Sequence, residues 1–138
     1  MWRSFALLSA LFAAFTAILA KVGVKGVDSD LAIAIRTTVV LLLAWSILFA
    51  KGIGISSVAA LSKQNWLFLA LSGIATGLSW IFYFKALQAG KVSQVAPLDK
   101  ASLAITILLS ALILHEPITW RTGLGAALIF AGTLTIIL

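Results

Sequence analysis

Long apolar runs broken by short polar or glycine-bearing stretches set the pattern of this chain. Five runs are long enough to span a membrane, at about residues 4–20, 30–50, 65–87, 93–114 and 120–138. A helix rising about 1.5 Å per residue needs roughly 20 apolar residues to cross a hydrocarbon core about 30 Å thick, so each run is predicted to be a spanning helix. Arg3 followed by an apolar run would suit a signal peptide, but the run exceeds the usual length and leads straight into a second span, so it is read as uncleaved.

The connections carry the punctuation that such a reading needs. KVGVKGVDSD (21–30) offers glycines and two aspartates, with Ser29 or Asp30 placed to cap the second helix. KGIGISSVAALSK (51–63) reads as a loop or interfacial turn with a basic residue at each end. Residues 88–93 make a short polar link, and His115, Glu116 and Pro117 a tight turn. Thr119 is placed to cap the last helix; Glu116, close before that N-terminus, is read as a structural carboxylate favoured by the helix dipole. Since the sequence stops inside the fifth run, function is expected within the bilayer.

Two of the predicted helices carry polar stripes. The fourth holds Asp99 and Lys100 well inside an apolar stretch, where a charge at the centre of a span costs about 2.5–3.5 kcal/mol and needs a protein interior or a water-filled path. At about 100° per residue, Ser102, Thr106 and Ser110 fall within about 60° of Asp99. In the third helix Ser72, Thr76, Ser79 and Tyr83 share a face in the same way. A lined pathway and a helix-packing face both account for such stripes. Pro97 either kinks the fourth helix or starts its regular part, and in the second case Asp99 lies in a first turn that favours anions.

Arg36 lies about six residues into the second helix and Asp99 about seven into the fourth, counted from the same side, so both are about 9–10 Å deep and can meet or share a ligand. Arg36 can otherwise snorkel to the headgroups, the role expected of Lys85 near its helix end. Lys100 is the poorer partner for Asp99, because adjacent helical residues point about 100° apart, though an irregularity at Pro97 can relax this; it can instead bond carbonyls or face a second protomer. Gly73 and Gly77 form a GxxxG pair, and Gly123, Ala127 and Ala131 recur at four-residue spacing; both sets permit close helix packing.

Composition sharpens the class. With 62% hydrophobic and 10% charged residues and a mean hydropathy of +1.17, the chain is an all-α integral membrane protein. Having no cysteine and one histidine without acidic neighbours, it offers no thiol chemistry and no plausible metal site; no cofactor is expected. It has no nucleophile–base pair at recognisable spacing, which argues against an enzyme. The formal charge of +6 sits mostly at segment ends, which points to anionic headgroups rather than nucleic acid. Five spans put the termini on opposite sides: Arg3, Lys51, Lys63 and Arg121 fall on one face, Lys21, Lys25, Lys85 and Lys91 on the other. That tie leaves both insertions open.

The run from Phe82 to the C-terminus resembles the EamA-like branch of the drug/metabolite transporter superfamily. The resemblance rests on Tyr83, Lys85, Ala86, Leu87, Gly90, Ala96, Pro97, Asp99, Lys100, Glu116, Gly125 and Gly132. Typical members have ten spans in two inverted five-span repeats. The resemblance therefore implies one half of such a transporter, completed by homodimerisation, with an antiparallel dimer the arrangement that the tied charges favour. Relatives in the small multidrug resistance family use a glutamate in the first helix, and the first helix here has no acidic residue. The expected function is secondary transport of a small polar metabolite across the cell membrane, the prokaryotic inner membrane, by alternating access. The alternative is a non-transporting membrane subunit that docks a partner through its small-residue faces.

Overall fold

A computed structural model describes all 138 residues. It contains α1 (Trp2–Gly23), α2 (Ser29–Ala50), α3 (Ser56–Ala59), α4 (Lys63–Ala89), α5 (Val92–Asp99), α6 (Ser102–Ile113) and α7 (Trp120–Ile137). Five spans are long and apolar enough to cross a membrane, with α5 and α6 together making the fourth. The all-helical, five-span expectation holds. Large apolar side chains along every span are exposed, from Leu7 and Leu8 on α1 to Leu134 and Ile136 on α7, as expected where lipid or another protein is the solvent.

Helix ends differ from the sequence reading where several residues could do one job. Asp28, rather than Ser29 or Asp30, caps α2: its carboxylate accepts from the N–H groups of Asp30 at 2.9 Å and Leu31 at 3.1 Å. Both α1 and α4 run two or three residues further than the apolar runs imply. Before α4, the Ser62 hydroxyl accepts from Asn65 N–H at 3.1 Å. The 51–63 connection turns at Gly52, whose φ of +71° falls where a side chain is rarely tolerated, and then forms the single turn α3.

The chain divides into two compact units. The central unit, Leu19–Gln88, contains the end of α1, α2, α3 and nearly all of α4. One end of it is tied by polar groups. Gln88 Nε2 donates to Val27 O at 2.6 Å, the Lys21 ammonium donates to Leu87 O, and Lys85 pairs with Asp30 at 3.6 Å. Val24, Ser29, Phe84 and Leu87 are buried there. The Lys85–Asp30 pair is exposed and so contributes little to stability.

The other unit joins Met1–Ile18 to Ala89–Leu138. Here α5 and α6 pack on α7. The helix starts before Pro97 and breaks after Asp99, so neither alternative drawn from the proline alone is met in full. Across the break the bonds tighten to three-residue turns, Lys100 N–H to Pro97 O, Ala101 N–H to Leu98 O and Leu103 N–H to Lys100 O, each at 3.0 Å. Thr133, buried on α7, places its hydroxyl 3.2 Å from Pro97 O and 2.9 Å from Ile129 O, and shares one proton between them. Thr133→Val keeps the shape and removes the donor. Interhelical hydrogen bonds in membranes average about 0.6 kcal/mol, so a loss of about that size and a small fall in the thermal transition are expected. An unchanged transition in detergent would show that the break holds without Thr133.

After α6 the chain reverses at His115, whose φ of 55° is left-handed, and Glu116 N–H turns back to Ser110 O at 3.3 Å. Thr119 caps α7 as expected, accepting from Thr122 N–H at 3.2 Å. Glu116 enters this turn through its backbone.

Candidate functional site

Asp99 ends α5 and Lys100 follows it at the break. In a regular helix these neighbours would diverge, and the sequence reading made Lys100 the poorer partner on that ground. Lys100 Nζ nonetheless donates to Asp99 Oδ2 at 3.4 Å, at the irregularity that follows Pro97. The first-turn position considered for Asp99 is also not adopted; it sits at the carbonyl end of a half-helix, where the dipole disfavours an anion and Lys100 offsets it.

The hydroxyls beyond the break are engaged locally. Thr106 donates to Ser102 O and Ser110 to Ile107 O, each at 2.9 Å. Such back-bonding removes the donor but leaves oxygen lone pairs for a ligand. Ser102, Thr106 and Ser110 lie on α6, whereas Asp99 lies on α5, so the stripe is a set of hydroxyls beyond a break rather than one continuous helical line.

In the central unit, Arg36 stacks on aromatic rings of α4. Its guanidinium carbon lies 3.9 Å from the Trp80 ring centroid and 5.7 Å from that of Phe84. A desolvated cation over an aromatic face gains up to about 2 kcal/mol, which explains how α2 keeps a charge about one and a half turns inside a span. The stacking is incomplete satisfaction: Nη1 is buried without a hydrogen-bond partner, and neither ion pair of the protein involves Arg36. The sequence gives the depth of Arg36 but no sign of its contact with Trp80.

Trp80 also lines a groove of about 470 Å³. Ile33 and Thr37 of α2 line it with Ser72, Gly73, Thr76 and Gly77 of α4, and Leu69 and Ile81 complete the walls. The volume suits a small ligand. Thr76 donates to Ser72 O at 2.8 Å, so the walls are mainly apolar with hydroxyl oxygens set into them. Of the predicted α4 stripe, Ser72 and Thr76 reach this groove, while Ser79 and Tyr83 are not among its walls. A Cβ built on Gly73 or Gly77 would meet nothing within 4 Å. The close approach expected at these glycines is therefore not made by α2. On α7, Ala127 and Ala131 of the other small-residue face are exposed, and a Cβ on Gly123 would meet only Ile118, at 3.7 Å.

Arg36 belongs to the central unit and Asp99 to the other, and each has a partner inside its own unit, Trp80 and Lys100 respectively.

Five apolar spans, one of them broken beside an intramembrane ion pair, define a multi-pass membrane protein. The EamA-like transporter family matches residues 1–138, and the chain belongs to that family. It is 47% identical over 133 residues to an "Uncharacterized transporter in cobO 3'region" of Sinorhizobium sp, an alignment covering 96% of this chain and 94% of the relative. It is 33% identical over 70 residues to a "Probable 4-amino-4-deoxy-L-arabinose-phosphoundecaprenol flippase subunit ArnE" of Enterobacter sp. (strain 638), covering 51% of this chain and 65% of that one. No solved structure matches the chain.

Proposed function

We propose that this protein is a secondary transporter of a small polar metabolite in a prokaryotic inner membrane, working by alternating access as an antiparallel homodimer without catalysis. One observation carries the reading: the Asp99–Lys100 pair sits at a helix break inside a span. In many transporters discontinuous helices form the substrate site near the bilayer midplane, because interrupted backbone exposes carbonyls and N–H groups that a continuous helix would consume. Asp99, Lys100, Arg36 and the hydroxyls of Ser102, Thr106, Ser110, Ser72, Thr76, Ser79 and Tyr83 are the proposed path. The membership in a transporter family supports it.

The test is flux into liposomes by the purified protein alone, using the ligand class that raises its thermal transition most, since a ligand binding only the folded state stabilises it. Saturable uptake is expected. Absence of flux for every stabilising ligand would favour the second reading, a membrane subunit that docks a partner, which the relative named as a flippase subunit supports.

The antiparallel arrangement has its own check. Charges tied at four on each face leave insertion unbiased, so a C-terminal reporter is expected to give comparable cytoplasmic and external signals. Two lysines added to the 51–63 loop should drive the protein to one orientation. A single strong orientation in the unmodified chain would sink dual insertion.

A further inference from the structure

The geometry points to a binding site for an amphipathic anion in the central unit, with a negative head on Arg36 and an apolar body in the groove beside Trp80. This rests on the transport reading for the groove's being a substrate site and goes beyond it in the ligand's chemistry, adding an apolar body to the polar head. Three observations meet at one place. Arg36 Nη1 is buried and has no hydrogen-bond partner, although leaving a charged donor unsatisfied in an apolar medium is costly. The carboxylates of its unit are committed elsewhere: Asp28 to the N-terminus of α2, Asp30 to Lys85. Arg36 is not itself a wall of the groove, but the ring that carries its guanidinium is, so a ligand whose end reaches past Trp80 comes to the cation.

The chemistry of the walls selects the rest of the ligand. Gly73 and Gly77 leave room where side chains would stand, and Ile33, Leu69 and Ile81 present hydrocarbon. A carboxylate or phosphate monoanion would accept from the guanidinium in a charge-assisted hydrogen bond, about twice as strong as a neutral one. A cation would meet Arg36 with no carboxylate to offset it. The same chemistry could come from a free amphiphile or from an anionic lipid whose chain enters the groove.

The probe for the free source is radiolabelled 4-phenylbutyrate, with 4-phenylbutyramide as its neutral match, on the full-length protein in phosphatidylcholine nanodiscs. Saturable binding is expected, at least about tenfold weaker for the amide and for Arg36→Gln, and intermediate for Arg36→Lys, which keeps the charge but loses the planar fork. The lipid source is tested by adding phosphatidic acid to the nanodiscs. Arg36-dependent retention of phosphatidic acid, with displacement of 4-phenylbutyrate, would make the lipid the resident; undisturbed 4-phenylbutyrate binding would make it the free anion. Either result supports the site. Equal affinity of acid and amide for the unmodified protein, or unchanged acid binding in Arg36→Lys and a folded Arg36→Gln, overturns it. If Arg36→Gln does not fold, the acid-to-amide comparison still decides. Binding without transport of the probe would leave the site standing and count against the transport reading. Transport of other ligands with no anion bound would do the reverse.

Discussion

Gly77→Leu is expected to lower flux per folded protein by at least about tenfold, while Gly77→Ala is expected to keep it within about twofold. The contrast follows from space. A Cβ at Gly77 meets nothing within 4 Å, so alanine fits and, by helix propensity alone, gains up to about 1 kcal/mol over glycine. Leucine extends its branched end into a groove of about 470 Å³ that Gly77 helps to line. Whether that groove receives a ligand or a helix of a second copy, leucine occupies the volume. Flux, thermal stability and oligomeric state measured on the same samples separate the two: loss of flux with the oligomeric state unchanged marks a ligand groove, and a changed oligomeric state marks a helix-packing face. Leucine with wild-type flux, stability and oligomeric state would mean that the face is turned to lipid.

The second large effect is expected at the helix break. Asp99→Asn leaves Lys100 without its partner, and Asp99→Asn combined with Lys100→Gln removes both charges. Breaking a fully buried pair costs about 3–5 kcal/mol. With Asp99 36% and Lys100 53% exposed along their side chains, the stability loss in the single variant is expected to be nearer 1 kcal/mol. The double variant should recover stability, because no uncompensated charge remains. Flux should stay at least about tenfold down in both if Asp99 meets the substrate, a loss worth about 1.4 kcal/mol of interaction or more. Flux that recovers together with stability would assign the pair to folding and leave the hydroxyls of α6 and α4 as the path.

Much of this architecture was legible because a membrane makes hydrophobicity nearly sufficient. Five apolar runs could be counted and turned into spans since lipid admits only helices and closed barrels, and runs this long and continuously apolar suit helices. The small errors lie where the chain holds interchangeable residues: Asp28, Ser29 and Asp30 can all cap, and only loop geometry selects Asp28. The break after Asp99 was harder. Proline acts on the preceding turn, through its missing N–H and its ring, yet the chain stays helical for two residues beyond it. The bond from Thr133 to Pro97 O spans 36 positions in sequence, and a lone threonine in an apolar helix gives no sign of the carbonyl it will meet. Arg36 was legible as a deep charge, but its pairing with Trp80 depends on the register of α2 against α4, which neither helix encodes alone.

The charge pair at the break also fixes how the protein responds to voltage. Asp99 and Lys100 are adjacent and carry opposite charge, so a movement that takes both through the bilayer transports no net charge and does almost no work against the membrane potential. Arg36 has no such companion. Displacing it across the full field would cost or release about 2.3 kcal/mol per 100 mV, and a shorter movement a proportional share. In any such movement a membrane potential would act on the charge of Arg36 and hardly at all on the Asp99–Lys100 pair. An anion seated on Arg36 would neutralise it, so the loaded central unit could move through the field at a cost that the empty one cannot match.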